Sequence, residues 1–495
     1  MSDADTALQP ESEAPDAAAE SLLEQVMRET RISPADEWYA PARDGMAAFF
    51  AELVRTARPG EKIHASRVDE MIAGIDARVS RQLDEILHHA EFQELESSWR
   101  SLKFLVDRTD FRENIKVQLL NVSKDELAED FDDAPETVKS GLYRHVYVTE
   151  YGQLGGEPVA TIIANYDFDA SSKDIALLQE LASVASMAHA PIIAGVSTRM
   201  FDIGDWGDLA GMKDLAAVFD APQYAKWNSF RQSENARYVG LALPRFMLRA
   251  PYHPENNPVR AFNYEEKTSA SSSDYLWGSA AFALATRLSE SFAKYRWAPN
   301  IIGPQGGGAV EDLPIHFYEA MGRLNAKPPI DVMISDRREF ELSEQGFIPL
   351  TLRKNEDNAA FFSANSVQRP KVFADTEEGR TAQANYKLST QLPSMFIINR
   401  LAHYIKVLQR ENLGTWKSRS ELQEELNGWI RQYVSDQENP SADVRSRRPL
   451  RKARIVVEEI EGEVGWYRAN MLVQPHFKYM GADFTLSLSS RLEGP

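Results

Sequence analysis

Residues 159–196 read VATIIANYDFDASSKDIALLQELASVASMAHAPIIAGV, and this stretch decides the fold. Val159–Ala164 is an apolar run rich in β-branched residues, the composition of a strand covered on both faces. Ser171 and Asp174 have capping-box spacing, which opens a helix. Ile175, Leu178, Leu181, Ala182 and Ala185 then recur at helical intervals. Pro191 stops that helix, and Ile192–Val196 forms a second buried strand. Strand, helix and strand within about 38 residues make a βαβ unit, because a parallel pair needs a crossover of this length. A further short strand is expected at Tyr238–Leu243.

Residues 45–106, on the N-terminal side, read as helices. Met71, Ile72, Ile75, Val79, Leu83, Ile86 and Leu87 repeat at helical spacing, and Phe92, Leu95, Trp99, Leu102 and Leu105/Val106 share one side of a second helix over Glu91–Val106. Ile115–Val122 is a candidate strand. On the C-terminal side, Tyr275–Tyr295, Ala382–Leu408 (broken at Pro393) and Arg419–Val434 are expected helices. The last 50 residues hold three strand-like runs. In Val464–Gln474, Tyr467, Ala469, Met471 and Val473 alternate with polar residues, Leu472 being the exception. Phe484, Leu486 and Leu488 alternate with Thr485, Ser487 and Ser489. The fold class is therefore α/β (α+β mixed): a βαβ-containing core, a helical N-terminal region and a C-terminal antiparallel β unit. We divide the chain into an acidic arm (1–60), a middle α/β region (61–370) and a C-terminal region of helices and strands (371–495).

Charge narrows the function. The 495 residues carry 55 basic and 74 acidic side chains, a formal net of −19, so nucleic acid and anionic membrane are poor partners. Cysteine is absent, which removes disulfides, thiolate metal sites and cysteine nucleophiles. No run approaches the ~18 apolar residues of a membrane span, and the N-terminus lacks the layout of a signal peptide, so a cytoplasmic protein is expected. Residues 1–20 hold six acids and no base, the composition of a solvated tail. Next to it, Leu22, Leu23, Val26 and Met27 form one stripe of a short helix over residues 19–31. That stripe suits either packing on the chain's own body or capture by a partner groove, and Pro34 detaches it enough to favour the groove.

Catalytic spacings are missing. Gly303–Gly308 is glycine-rich but lacks the Lys and Ser/Thr of a phosphate cradle. His316 lies near Glu311, Asp312 and Glu319 yet sits inside an apolar run, and His88 and His89 point ~100° apart on a helix. No catalytic, cofactor or metal residue is expected. Near the C-terminus Arg445, Arg447, Arg448, Arg451, Lys452 and Arg454 precede Glu458, Glu459, Glu461 and Glu463. These runs fit a solvated hairpin or a charged contact with copies of the chain or an acidic partner.

Four segments carry a resemblance: EFQELESSWRSLKFLVD (91–107), YLWGSAAFALATRLSESFAKYRWAPNIIGPQGGG (275–308), LPIHFYE (313–319) and QPHFKYMGADFTLSLSSRL (474–492). From about residue 60 to its end the chain resembles the large subunit of the type VI secretion contractile sheath, the TssC/VipB/ImpC family. The resemblance implies a structural protein that pairs with a small sheath subunit (TssB/VipA), polymerises around an Hcp tube from a baseplate, contracts, and is dismantled by a ClpV-type AAA+ ATPase. It implies that the strands carrying Tyr467, Ala469, Met471, Val473, Phe484, Leu486 and Leu488 enter an intersubunit sheet, and that Leu22, Leu23, Val26 and Met27 meet the ATPase. A phage-tail-like homopolymer is the nearest alternative. An α/β enzyme using the crevice beyond residues 159–164 and 192–196 is a remoter one.

Overall fold

The computed structural model describes residues 22–30, 32–56, 64–153, 155–258, 262–268, 271–353, 358–411, 417–435, 437, 440–459, 467–476 and 486–492. The chain forms two compact units: residues 1–85 with 252–266, and residues 86–251 with 267–495.

The first unit holds α1 (Leu22–Glu29), α2 (Tyr39–Thr56) and most of α3 (Ala65–Leu87). Helix α1 packs on α2, and Met27 and Leu53 are buried. Residues 252–266 close on themselves: the Tyr252 amide donates to the Glu266 carboxylate at 2.9 Å and the Glu266 amide to the Tyr252 carbonyl at 2.9 Å. Tyr264 ties this loop to α3 by donating its hydroxyl to Asp84 at 2.8 Å.

The second unit begins with α4 (Ala90–Asp107) and α5 (Lys124–Asp133). Helix α6 (Gly141–Tyr143) continues through a π turn (Arg144–Val148) into α7 (Thr149–Gly152). A six-stranded sheet follows in the order β1-β2-β3-β9-β10-β6, with β1 (Ile162–Phe168), β2 (Ile192–Val196), β3 (Val239–Leu243) and β9 (Phe347–Leu352) parallel. β10 (Ala359–Phe361) and β6 (Ala309–Val310) add antiparallel edges. The βαβ reading of residues 159–196 holds, with β1 starting three residues later than the apolar run and α8 (Ser172–Ala188) capped by Ser171 as its spacing implied. Both faces of the sheet are buried, since strand side chains alternate. Ile192, Ala194, Val196, Val239, Leu241 and Phe347 join a cluster with α8 and the aromatic residues of α9 (Leu215–Phe219) and α10 (Ala225–Gln232). Ile193, Ala242, Ile348 and Leu350 join another with α11 (Ala280–Tyr295).

Two expectations change. Ile115–Val122 is not a strand: it forms no ladder, and adjacent Leu119 and Leu120 are both exposed, so the segment offers no single face to bury. Pro393 does not break a helix. The break falls at Thr390–Gln391, between α13 (Glu377–Ser389) and α14 (Leu392–Glu411), and Pro393 lies in the first turn of α14, where no amide is needed. Between β6 and β9 lie the hairpin β7 (His316–Ala320) and β8 (Arg323–Lys327) and helix α12 (Asp336–Glu344). β4 (Phe246–Met247) and β5 (Trp277–Gly278) pair separately.

Helix α14 joins the parts of this unit. Leu392 and Phe396 belong to one sheet cluster and Met395 to the other, while Ile397, Ile398, Leu401 and Ile405 belong to a third core. That third core also takes α15 (Arg419–Arg431) and the C-terminal strands β11 (Leu450–Glu459) and β12 (Tyr467–Pro475). The seat of α14 on the sheet is close: a Cβ on Gly240 would stand 2.7 Å from Leu392 Cδ1 and 2.9 Å from Ile348 Cδ1. Further along, His403 Nε2 lies 3.0 Å from the Ala188 carbonyl and Lys406 Nζ 3.3 Å from the Met187 carbonyl, both at the C-terminal end of α8. A carbonyl only accepts, so Nε2 carries the proton. Lys406 also lies over the rings of Tyr147 and Tyr151.

Arg231 is a second tie. It is 2% exposed, and its guanidinium donates to the Val367 carbonyl (3.0 Å), Gln345 Oε1 (2.8 Å) and the Glu344 carbonyl (3.1 Å). Burial pulls it down to about 10, still charged at neutral pH. Arg231→Ala should cost about 2–4 kcal/mol, because one buried and two partly buried acceptors lose their donor and a buried side chain is truncated. A urea unfolding curve checks this, and an unchanged midpoint would remove the clamp.

The histidines give a pH prediction. Burial pushes His403 down to about 4 and His189 well below its ordinary value, so both stay neutral when folded. Unfolded, they take protons near pH ~6.5. Their contribution is complete above that pH and is lost as pH falls towards 4. Unfolding free energy should drop by about 1–2 kcal/mol per histidine between pH 7 and 5, and His403→Gln should flatten that slope in paired urea titrations.

Candidate assembly surfaces

Helix α4 is seated by Ser97, Ser101 and Leu105, with Phe104 packed on Phe246 at 4.8 Å between ring centroids. Ser101 is fully buried, Ser97 donates to the Trp277 carbonyl at 2.6 Å, and Gly278 has no room for a Cβ against Ser101 Oγ (2.9 Å) and Leu248. Glu96 receives Arg100 (2.6 Å) and Arg249 (2.9 Å). Burial pushes the Glu96 carboxyl up, but hydrogen bonds and charge from Arg249 and Arg100 outweigh it and hold it below the usual range. The apolar stripe points the other way. Phe92, Leu95, Trp99 and Val106 are 37%, 56%, 62% and 37% exposed. A helix that packs Leu105 and Phe104 inward yet leaves Leu95 and Trp99 more than half exposed has a second apolar face, as expected of an interaction face. In the first unit α3 likewise exposes Ile72, Ile75 and Val79.

The N-terminal stripe is partly covered. Met27 is buried where α1 meets α2, Leu23 and Val26 are half-buried, and the Leu22 side chain lies outside the described residues. The turn after α1 is held by the Ser33 amide donating to Asp36 at 2.7 Å.

The C-terminal sheet has the order β11-β12-β13, all antiparallel, with β13 spanning Leu486–Leu492. β12 is central, so Tyr467, Ala469, Met471 and Val473 lie on a strand paired on both sides. Ala469, Met471 and Val473 are buried against the chain's own α14 and α15. Leu488 and Leu486 stand opposite Met471 and Val473 in register. Phe484 and Glu461 lie outside the described residues. The outer strands of this sheet are β11 and β13, and their flanks differ. Asn427 of α15 reads the outer edge of β11 as a strand would: its Nδ2 donates to the Ile455 carbonyl at 2.7 Å and its Oδ1 accepts the Ile455 amide at 2.9 Å. Gln423, one turn earlier, accepts the Val457 amide at 3.0 Å. At the start of β11, Leu450 exchanges backbone hydrogen bonds with Tyr433 and Ser435. Among the described residues no such device meets the outer edge of β13.

Charge is also segregated. Arg445, Arg447 and Arg448 are exposed at or just after α16 (Ala442–Arg447), with Arg447 paired to Asp443 at 3.2 Å. Lys452 and Arg454 are exposed on β11, and Arg451 is half-buried. Glu458 accepts from Asn470 at 2.9 Å, and Glu459 is exposed at the far end of the strand.

Nothing assembles into a catalytic site among the described residues. Amides of the Gly303–Gly308 loop are spent on the loop itself and on Phe361. His316 Nδ1 is 2.9 Å from the Tyr275 hydroxyl, and no metal-binding cluster forms among the described residues. Segments leaving β1 and β3 are tied down by Lys124–Asp174 (2.6 Å) and Arg245–Asp331 (2.7 Å). No described helix is long and apolar enough to cross a membrane.

Two family models match the chain. Residues 69–368 match VipB, described as the EvpB/VC_A0108 tail sheath N-terminal domain, and residues 381–492 match VipB_2, its tail sheath gpW/gp25-like domain. The chain belongs to the VipB tail sheath family. The type VI secretion system sheath protein TssC1 of Pseudomonas aeruginosa is 40% identical over 430 residues, which is 86% of each chain. The sheath tail protein Lin1278 from Listeria innocua, a solved structure, is similar with a TM-score of 0.31 and 10% identity over 69% of this chain and 59% of that chain. VipB proteins are structural sheath subunits, not enzymes. The first VipB match opens inside α3 and the second inside α13, and both leave residues 1–20 outside.

The edge cap yields a prediction for this VipB-family chain. Asn427→Ala should cost about 1–2 kcal/mol, since two backbone groups lose their partner. It should also speed amide exchange at Ile455 while leaving the β12 amides protected. Unaltered exchange there would discount the cap.

Proposed function

We propose that this chain is a cytoplasmic sheath large subunit that pairs with a small TssB/VipA-type subunit, polymerises around an Hcp tube from a baseplate, and contracts to drive tube and spike into a target cell. The observation that carries the pairing is the outward apolar stripe Phe92, Leu95, Trp99 and Val106 on α4, set opposite the face that already buries Ser101 and Leu105 in the chain's own core. An apolar helix stripe left in water suits a partner present throughout the life of the protein.

The shared-sheet reading takes a side. Carboxamides cover the outer edge of β11, so the added strand pairs with β13. The buried faces of Ala469, Met471 and Val473 then keep the sheet on its own helices while backbone bonds link subunits. Main-chain links of this kind would survive the sliding of one packed subunit past another during contraction. The segment Leu22–Met27 is proposed as the contact for a ClpV-type ATPase, and its half-buried packing on α2 supports a contact made when α1 leaves α2.

Co-expression with the adjacent small-subunit gene, followed by negative-stain microscopy, tests the proposal. Ribbed tubes that require both chains are expected. Tubes without the partner would favour a homopolymer, and no polymer would oppose both. Leu95→Asp with Trp99→Asp should abolish co-purification with the small subunit, yet shift stability by less than about 1 kcal/mol because both side chains are exposed. Normal heterodimer yield would reject α4 as the pairing face.

A further inference from the structure

The hairpin β7–β8 has two unlike faces. Directly opposed residues share a face, so His316 and Lys327 stand on one side and Phe317, Glu319, Leu324 and Ala326 on the other. The first side is turned to the chain's own body. His316 Nδ1 lies 2.9 Å from the Tyr275 hydroxyl, and Lys327 Nζ stands over the rings of Tyr275 and Trp277, both of them buried. The second side is turned out, with Phe317 61% and Leu324 75% exposed. At the tip Met321 is fully exposed, with a φ of 54° ahead of Gly322 at 69°. A two-residue turn with both φ values positive favours Asn-Gly, so methionine is a poor local choice there. The hairpin is a sheet of two strands by itself, and such a ribbon is marginal until an apolar face is covered. Three apolar side chains shown to water, one of them on left-handed backbone, add little to the fold of a lone chain and mark a contact face.

The seat of the hairpin points to what covers it. Residues 272–278 carry both the hairpin and α4. Gln93 and Ser97 of α4 donate to the carbonyls of Ser273 (3.0 Å) and Trp277 (2.6 Å), while the side chains of Tyr275 and Trp277 receive His316 and Lys327. One short segment thus seats the two elements, and the hairpin adjoins the helix that exposes Phe92, Leu95 and Trp99. We propose that the outward face of β7–β8, led by Met321, is a second arm of the α4 pairing face and binds an apolar surface of the small sheath subunit. This assignment rests on the pairing role proposed for α4. An apolar arm beside an apolar stripe suits a partner that stays bound, since permanent interfaces are the more hydrophobic ones.

Two measurements on the full chain, co-expressed with the small subunit, test the arm. Phe317→Asp with Leu324→Asp should lower the small subunit recovered at least about tenfold, while the urea midpoint of this chain holds because both side chains are exposed. In the second, p-benzoylphenylalanine is incorporated in place of Met321 and the native face is kept. Ultraviolet light should then join this chain to the small subunit. An adduct with a second copy of this chain, or with the Hcp tube, would overturn the assignment by giving the hairpin another occupant. No adduct in a pair that forms normally, or undiminished recovery with the aspartates, would overturn it too, and would leave the role of α4 standing. If the unaltered chain brings down no small subunit, the pairing reading itself falls and takes the arm with it.

Discussion

Everything in the larger unit hangs on the close seat of one helix. α14 begins against the centre of the sheet, where Gly240 leaves only enough space for Leu392, and it ends within a separate core built from α15 and the last strands. A side chain at position 240 would force the ends of Leu392 and Ile348 to move where α14 meets the sheet. Burial of Leu392, Met395 and Phe396 at one end and Ile397, Leu401 and Ile405 at the other makes the two regions share one lever. His403 and Lys406 lock the middle of that lever by donating to the last carbonyls of α8. A rigid helix shared by two cores transmits a push, which a flexible linker would absorb.

The surfaces follow a consistent economy. Polar groups with well-placed partners, such as Ser97, Arg231 and Asn427, add specific ties to the apolar cores. On α4 the exposed apolar residues Phe92, Leu95 and Trp99 share one helical face. In an isolated globular protein an apolar helical face is turned inward. On the proposed function, this face of α4 is the one that meets another chain.

Much of this was legible beforehand. The βαβ unit announced itself through its two apolar runs and its capping box, and the C-terminal strands through strict alternation, with Leu472 correctly on the outer face at 36% exposure. Periodicity found α4 but could not say which way it pointed. A stripe at helical spacing looks the same whether it meets the chain's own core or a partner, and the clue lay in the serines opposite. Ile115–Val122 misled because β-branched composition describes a strand's content and not its neighbour. The β7–β8 hairpin escaped notice because its turn is Met321–Gly322 and its strands mix charge with apolar residues. Asn427 and Gln423 were beyond reach, since nothing local ties a carboxamide on one helix to a strand 28 or 34 residues away. Phe484 and Glu461, named from the sequence, fall outside the described residues.

The carboxamides along β11 have one more effect. A ribbon with two bare sides is symmetric in its appetite and will join its twin as readily as its proper mate, which is how ordered proteins turn into insoluble stacks. Among the described residues, sealing one side with two side chains leaves only the β13 side without such a seal. Under the proposed shared sheet, a strand would then join from that side alone, and a copy on its own would have half as many ways to go astray.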